Sequence, residues 1–87
     1  MRGRFFIIVN PAAGAGKAAR RWETLRRRIR EFCSSFHTVY TEGPGHAIAL
    51  ARENAGDCNA VVAVGGDGTT SEVASGLLQS GQKSALA

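Results

Sequence analysis

The feature that most constrains the fold is an apolar run that passes directly into glycines and then into a helical segment. The run is Ala60–Val64, and Gly65-Gly66-Asp67-Gly68-Thr69 follows it. A short continuous run of alanine and valine is typical of a strand buried on both faces. Glycines let backbone N–H groups approach an anion, and the start of the next helix adds unpaired donors and a positive dipole end. This order predicts a phosphate-binding turn.

Asp67 is unusual in such a turn, because a carboxylate repels a phosphate. A bound Mg²⁺, or a proton to be abstracted, would explain its presence. The expected ligand is therefore a nucleoside triphosphate. A structural alternative stays open, because Gly-Asp-Gly is also a common turn. Thr69 and Glu72 in addition match the capping box S/T-x-x-E of a helix N-terminus.

Apolar segments and segments of helical periodicity alternate along the chain. The predicted strands are 4–9, 36–41 and 60–64, and the predicted helices are 18–34, 46–55 and 69–79. This βαβαβα order predicts a three-layer α/β/α fold with a parallel sheet and right-handed crossovers. Ligands of such sheets bind at the carboxyl ends of the strands, which places loops 10–17, 41–46 and 65–69 at one edge.

Residues 85–87 have the pattern of a fourth strand beginning. A sheet of three strands leaves two long edges exposed. The chain is therefore expected to be the N-terminal part of a longer protein. In isolation we expect it to be poorly soluble, or oligomeric, for example as a homodimer.

Size and composition narrow the class of protein. The chain has 87 residues, 44% of them hydrophobic, which suits one small globular domain. No apolar stretch reaches the length of a membrane span, so no transmembrane segment is expected. Cys33 and Cys58 have no metal or redox spacing. These observations predict a reduced, cytoplasmic protein.

The net charge of +4 is concentrated in one segment. It contains Arg20, Arg21, Arg26, Arg27, Arg28 and Arg30. The simplest interpretation is a solvated outer face of the first helix. Interleaved aromatic residues and nucleic-acid motifs are lacking, so no nucleic-acid partner is expected. Docking on anionic lipid headgroups is a second use of such a cluster.

The first loop contains Gly14-Ala15-Gly16-Lys17. It is not a Walker A motif, which needs a glycine at Pro11 and a hydroxyl residue at Ala18. Its glycines and Ala19 match a dinucleotide fingerprint, with Glu42 as the ribose-binding acid, although the first glycine lies beyond the strand end. The lysine of this loop either faces phosphates or is solvated.

Three motifs occur in order and span nearly the whole chain. They are Asn10-Pro11-Ala12-Ala13-Gly14, Thr41-Glu42-Gly43-Pro44-Gly45-His46-Ala47, and Gly65-Gly66-Asp67-Gly68-Thr69 with Glu72-Val73. Together they resemble the catalytic domain of the diacylglycerol kinase and sphingosine kinase superfamily, especially the soluble bacterial-type lipid kinases. The third motif is shared with NAD kinases, whereas the first two favour lipid kinases.

The resemblance implies a fold and an activity. Residues 1–87 would be the N-terminal nucleotide-binding portion of a diacylglycerol kinase/NAD kinase-like catalytic domain, without the second domain that holds the lipid pocket. The intact protein would transfer the γ-phosphoryl group of ATP, with Mg²⁺, to a lipid hydroxyl at a membrane surface, which adds peripheral membrane association to the cytoplasmic location. An NAD kinase-related enzyme and a non-catalytic nucleotide-binding module are the alternatives.

The resemblance also implies roles for individual residues. ATP would contact Asn10, Pro11, Ala12, Ala13, Gly14 and Thr41, and the phosphates would lie against Gly65, Gly66, Asp67, Gly68, Thr69, Thr70, Ser71 and Glu72. Asp67 would be the catalytic residue, serving the Mg²⁺–phosphate chemistry; in some relatives the equivalent aspartate is the general base, and in others that base lies in the second domain. Relatives commonly carry an apolar residue and an asparagine where this chain has Thr70 and Ser71.

Overall fold

The computed structural model describes residues 4–32, 35–81 and 85–86. Strands and helices alternate as β1 (Arg4–Val9), α1 (Lys17–Phe32), β2 (Ser35–Tyr40), α2 (His46–Asn54), β3 (Ala60–Val64), α3 (Asp67–Ser80) and β4 (Ala85–Leu86), with a 3-10 turn (Ala55–Asp57) after α2. The predicted order is confirmed, and β1 and β3 have the predicted bounds. The other bounds differ by one or two residues: β2 lies one residue earlier than predicted, α1 begins at Lys17 rather than Ala18, α2 gives way to the 3-10 turn, and α3 begins at Asp67 rather than Thr69 and ends at Ser80 rather than Gln79. The predicted end of α1, at residues 33–34, lies outside the described residues.

The four strands form one parallel sheet in the order β2-β1-β3-β4. In the central strand, Ile7 lies opposite Thr38 of β2 and Val62 of β3. The fourth strand pairs with β3, where Leu86 lies opposite Val61. The parallel sheet and the opening of a fourth strand are therefore confirmed over the described residues, and Ala87 lies outside them.

The alternating side chains of β1 divide the core into two layers. Ile7 and Val9 pack with Trp22 of α1 on one face of the sheet. Phe6 and Ile8 pack on the other face, against α2 and α3. Since successive strand residues point to opposite faces, a strand that is apolar throughout needs helices on both sides. The three-layer α/β/α fold is thereby confirmed.

Helix α1 is strongly amphipathic. It buries Ala18 and Trp22, while Leu25 and Ile29 pack at the margin of the same cluster. Trp22 meets Phe36 of β2 edge-on, with ring centroids 6.0 Å apart. All six arginines of the cluster are exposed, as predicted for an outer helix face. No helix in the described part of the chain has the length and apolar character that a membrane span requires.

Helices α2 and α3 lie side by side, and one glycine allows their close approach. A Cβ atom added at Gly76 would overlap the carbonyl oxygen of Ile48 and lie 2.8 Å from the Cβ of Ala51. Both of these atoms belong to the well-packed face of α2, where Ala51 is fully buried. The missing side chain of Gly76 therefore sets the distance between the two helices.

We predict that Gly76→Ala destabilises the full-length protein by about 1–3 kcal/mol, the usual cost of overpacking. Gly68→Ala is the matched control, because a Cβ there meets no atom within 4 Å and the same helix gains up to about 1 kcal/mol of helix propensity. Thermal or chemical denaturation measures both variants. Equal stability of the two variants would show that the helices do not depend on this contact.

Candidate functional site

Three loops at the carboxyl edge of the sheet enclose a cleft of about 500 Å³. They follow β1, β2 and β3, and the first turns of α2 and α3 complete the wall. The lining residues are Asn10, Pro11, Ala12, Ala13, Thr41, Glu42, Gly43, Pro44, Ala47, Gly66, Gly68, Thr69 and Glu72. The cleft therefore lies where the parallel sheet predicted a ligand site.

Backbone hydrogen bonds bring the starts of these loops together. The Asn10 N–H donates to the Val64 carbonyl at 2.9 Å, and the Thr41 N–H donates to the Val9 carbonyl at 2.8 Å. Parallel pairing thus continues one residue beyond the strand ends. Asn10 and Thr41 consequently begin their loops on either side of the end of the central strand.

Asn10 organises the first loop through its side chain. Its Oδ1 accepts a hydrogen bond from the Ala12 N–H at 3.3 Å, which closes a turn over Pro11. Its Nδ2 donates to Oγ1 of Thr69 at 3.3 Å. Thr69 lies in the first turn of α3 and is only 5% exposed. One amide side chain therefore joins the first loop to the start of α3.

The turn from β3 into α3 is tight around Thr69. A Cβ at Gly65 would overlap Oγ1 of Thr69 and lie 2.8 Å from its Cβ. The threonine is buried and β-branched, so it has little freedom to move aside. Gly65 does not line the cleft. Its part in the site is to let the chain pass close to Thr69.

The capping-box prediction for Thr69 and Glu72 is wrong. Helix α3 begins at Asp67 with Gly66 as its N-cap, and no side chain of the described residues caps it. The Thr69 hydroxyl accepts from Asn10, and the Glu72 carboxylate accepts from the Gly45 N–H at 3.2 Å. Both side chains therefore hold neighbouring loops. The amides of the first helical turn lack side-chain acceptors, and Gly66 and Gly68 of this turn line the cleft.

The second loop is fixed at both ends. Besides the bond from Gly45 to Glu72, the Glu42 N–H donates to Nδ1 of His46 at 3.0 Å. This bond requires a lone pair on Nδ1, so the imidazole proton resides on Nε2. His46 is the first residue of α2, and its ring holds the start of the loop. The loop thus presents a fixed wall to the cleft.

The structure brings together most of the residues that the sequence predicted for the site. The lining includes Asn10, Pro11, Ala12, Ala13, Thr41, Gly66, Gly68, Thr69 and Glu72; it does not include Gly14, Gly65, Asp67, Thr70 or Ser71. It also contains residues that were quoted within a motif but not assigned to a nucleotide: Gly43, Pro44 and Ala47. The sequence could have indicated these residues through the second motif, in which they closely follow Thr41 and Glu42.

The charge of the cleft is acidic. Glu42 and Glu72 line it, and no lysine or arginine of the described residues does so. Lys17 is exposed at the start of α1, outside the lining, and Asp67 is exposed at the start of α3 beside Gly66 and Gly68. Within the described ranges no group of three or more His, Cys, Asp or Glu side chains could hold a metal ion. A divalent ion here would need ligands from the bound molecule, as Mg²⁺ commonly does with phosphates.

The fold and cleft define the class as an open parallel α/β domain with its ligand site at the carboxyl edge of the sheet. The family model of the diacylglycerol kinase catalytic domain matches residues 4–87. A solved diacylglycerol kinase structure from Bacillus anthracis superimposes with a TM-score of 0.85 at 26% identity, covering 95% of this chain. The chain belongs to the diacylglycerol kinase catalytic domain family.

Curated relatives with similar sequences come from eukaryotes as well as bacteria. The chain is 40% identical over 77 residues to sphingoid long chain base kinase 5 of Saccharomyces cerevisiae, covering 85% of this chain. It is 35% identical over 78 residues to human sphingosine kinase 1, covering 87% of this chain. It spans 11% and 20% of these two relatives and 30% of the B. anthracis chain. The similarity therefore concerns one part of each longer protein.

We predict that Glu72→Ala loosens the second loop, because the Gly45 N–H loses its carboxylate acceptor. The amide of Gly45 should exchange its hydrogen about five- to tenfold faster, the equivalent of the roughly 1 kcal/mol that a part-exposed hydrogen bond contributes. Hydrogen exchange of the full-length protein measures this. Glu72→Gln keeps an acceptor oxygen and should stay near the wild-type rate. The control is Glu53→Ala, an exposed residue of α2; a similar acceleration there would refute the assignment.

Proposed function

We propose that this chain is the ATP-binding part of a lipid kinase that transfers the γ-phosphoryl group of ATP to a lipid hydroxyl. The observation that carries the proposal is the cleft in which the glycine-rich start of α3 meets the loops after β1 and β2. Membership of the diacylglycerol kinase catalytic domain family supports it. The relatives named as sphingoid base and sphingosine kinases point to an acceptor of the lipid class.

The cleft has the size and the mixed lining of a small-molecule site. Its volume of about 500 Å³ lies within the usual range of roughly 300–1,000 Å³ for such sites. Pro11, Ala12, Ala13, Pro44 and Ala47 give apolar walls that suit a planar base. Asn10 and Thr41 supply polar atoms at the sheet edge between these walls. We assign the nucleoside of ATP to this part of the cleft.

The start of α3 suits the phosphates. Its first-turn amides lack side-chain acceptors, and the helix dipole places partial positive charge at this end. Gly66 and Gly68 carry no side chain, and a Cβ at either position would meet no atom within 4 Å. The space beside these amides is therefore open. We assign the triphosphate to it, while Glu72 holds the second loop through Gly45.

We assign Asp67 as the carboxylate ligand of the magnesium ion. It is exposed beside the two cleft glycines, whereas the Glu72 carboxylate is engaged with Gly45. A single carboxylate fits Mg²⁺, which is usually bound through one or two carboxylates and the substrate phosphates. When bound, the ion would neutralise charge on the phosphate oxygens. The chain's own residues position the nucleotide and offer backbone donors, and such positioning accounts for much of the catalysis in phosphoryl transfer.

We predict that Asp67→Asn in the full-length protein lowers phosphoryl transfer at least about 100-fold, since the amide cannot replace a charged ligand or accept a proton. The measurement follows labelled γ-phosphate into diacylglycerol, sphingosine or NAD offered in parallel. Asp57→Asn, an exposed aspartate in the turn at the opposite edge of the sheet, is the control and should leave the rate unchanged. Full turnover by Asp67→Asn would reject the role of Asp67, and transfer to NAD alone would reject a lipid acceptor.

We further predict that magnesium ATP shifts the backbone amide signals of Gly66 and Gly68, because these N–H groups lie where the phosphates are assigned. A nuclear magnetic resonance titration of the full-length protein measures the shifts. Gly56, which lies in the 3-10 turn at the opposite edge, is the internal control and should not respond. If the two cleft glycines stay unchanged at saturating nucleotide, the phosphates bind elsewhere.

A further inference from the structure

The net positive charge of this protein comes from one helix, α1. Helix α1 contains seven basic and two acidic residues, a net charge of +5. The whole chain has a net charge of +4, so the remaining residues together carry −1. Helix α1 covers one face of the sheet alone, while α2 and α3 cover the other. The molecule therefore has one strongly basic side.

The basic residues of α1 are directed outward by the packing of the helix. Ala18, Trp22, Leu25 and Ile29 face the sheet at spacings of four, three and four residues. Arg20 and Arg27 fall on the opposite side, and Arg21 and Arg28 fall on a flank with Lys17. All five are exposed. They form a continuous surface along a helix of 16 residues, about 24 Å long; we call these five residues the basic surface.

Few of these charges are used within the protein. The ion pair recorded for α1 among the described residues joins Arg26 to Glu23 at 3.3 Å, and the guanidinium of Arg30 lies 6.0 Å from the centre of the Phe36 ring. Both contacts belong to the other flank of the helix. Within the described part of the chain, the basic surface has no acidic side-chain partner. Glu31 is the acidic residue on the same side of the helix, four residues after Arg27, and no ion pair joins it to the basic surface among the described residues. The five basic residues and Glu31 together carry a net charge of +4 (five minus one). These charges repel one another, so an anionic partner would stabilise the arrangement.

We propose that the basic surface of α1 docks the protein on an anionic lipid bilayer. The proposal rests on the proposed lipid kinase function, since the acceptor of such an enzyme resides in a membrane. Helix α1 begins directly after the first loop of the cleft, so the end of the basic surface at Lys17 adjoins the site, and the rest of the surface extends from there toward the opposite edge of the sheet. Docking through it would hold the cleft close to the bilayer surface and raise the local concentration of acceptor.

A bilayer fits this surface better than a nucleic acid does. Recognition of single-stranded nucleic acid uses exposed aromatic side chains on which bases stack. The tryptophan of α1 is 2% exposed and packs against the sheet. Among the described side chains, those on the outer side of the helix end in guanidinium, ammonium, hydroxyl or carboxylate groups. Such a face is attracted to the charged surface of a bilayer and, over these described residues, has no apolar side chains to insert into it. Because the attraction is electrostatic, binding should depend strongly on the salt concentration.

The test is co-sedimentation of the full-length protein with vesicles of phosphatidylcholine, or of equal parts phosphatidylcholine and phosphatidylglycerol. We expect binding to the anionic vesicles only, with loss of binding as salt rises from about 0.1 M to about 1 M and the screening length falls from about 10 Å to about 3 Å. In Arg21→Gln/Arg27→Gln/Arg28→Gln, partitioning should fall about 100-fold, at roughly fivefold for each charge removed.

Two variants isolate the cause. Arg21→Lys/Arg27→Lys/Arg28→Lys retains the charge and should bind as the wild type does. Arg52→Glu/Ser75→Glu lowers the net charge by the same three units on the α2–α3 side, where both residues are exposed, and should also bind nearly as the wild type does. Equal vesicle binding by the wild type and the glutamine variant would overturn the proposal, and so would equal binding to both vesicle types. RNA binding is measured in parallel, and a glutamine variant that loses RNA binding but keeps vesicle binding would also overturn it.

The two proposals fail in different ways. Transfer of labelled phosphate to a short-chain, water-soluble acceptor does not require a bilayer, so the glutamine variant should retain it while losing activity on vesicles. If no lipid is phosphorylated but the basic surface still governs vesicle binding, the kinase function fails and the docking stands. If phosphorylation on vesicles is unaffected by the glutamine variant, the docking fails and the kinase function stands.

Discussion

The site depends on the hydrogen bonds that Asn10 makes where the central strand ends. Its backbone N–H extends the pairing of β1 with β3, and its side chain joins the first loop to Thr69 of α3. The parallel register of β1 and β3 brings Val9 opposite Val64, which sets Asn10 beside the turn into α3. If that register changed by one residue, the side chains of β1 would exchange faces, and the two core clusters could not both form. The cleft is thus a direct consequence of strand pairing.

Helix α3 begins earlier than a capping box would place it. A capping box would make Thr69 the N-cap, whereas Gly66 is the N-cap, and a glycine at that position costs only about a few tenths of a kcal/mol relative to a hydroxyl residue. Instead the two side chains tie down the loops after β1 and β2, and the first-turn amides keep no side-chain acceptor. Both loops are therefore held against backbone donors that no side chain of the described residues satisfies. Under the proposed function, those donors are the ones that a phosphate would satisfy.

The architecture followed from the sequence because its signals are local. β1 and β3 are continuous apolar runs with clear ends, and Trp22 with Leu25 and Ile29 marks the inner face of α1 by spacing alone. The start of α3 was misplaced for the opposite reason: the capping-box pattern is local, whereas the actual partners of its side chains lie 59 and 27 residues away. The side chains of Pro44 and Ala47 also have no functional group that would mark them as site residues in the sequence. They line the cleft because the second loop is held there, which only the folded chain reveals.

The distribution of charge bears on how a triphosphate could be held at all. The described lining of the cleft contains two glutamates and no cation, while the basic residues lie mainly on α1, outside it. The described side chains of the lining therefore cannot balance the charge of a triphosphate. The backbone amides and dipole of α3, together with a metal ion at Asp67, would have to do so under the proposed function. Because the arginines lie outside the cleft, they are available for another partner. If that partner is the bilayer that contains the acceptor lipid, the acceptor is held next to the reaction site.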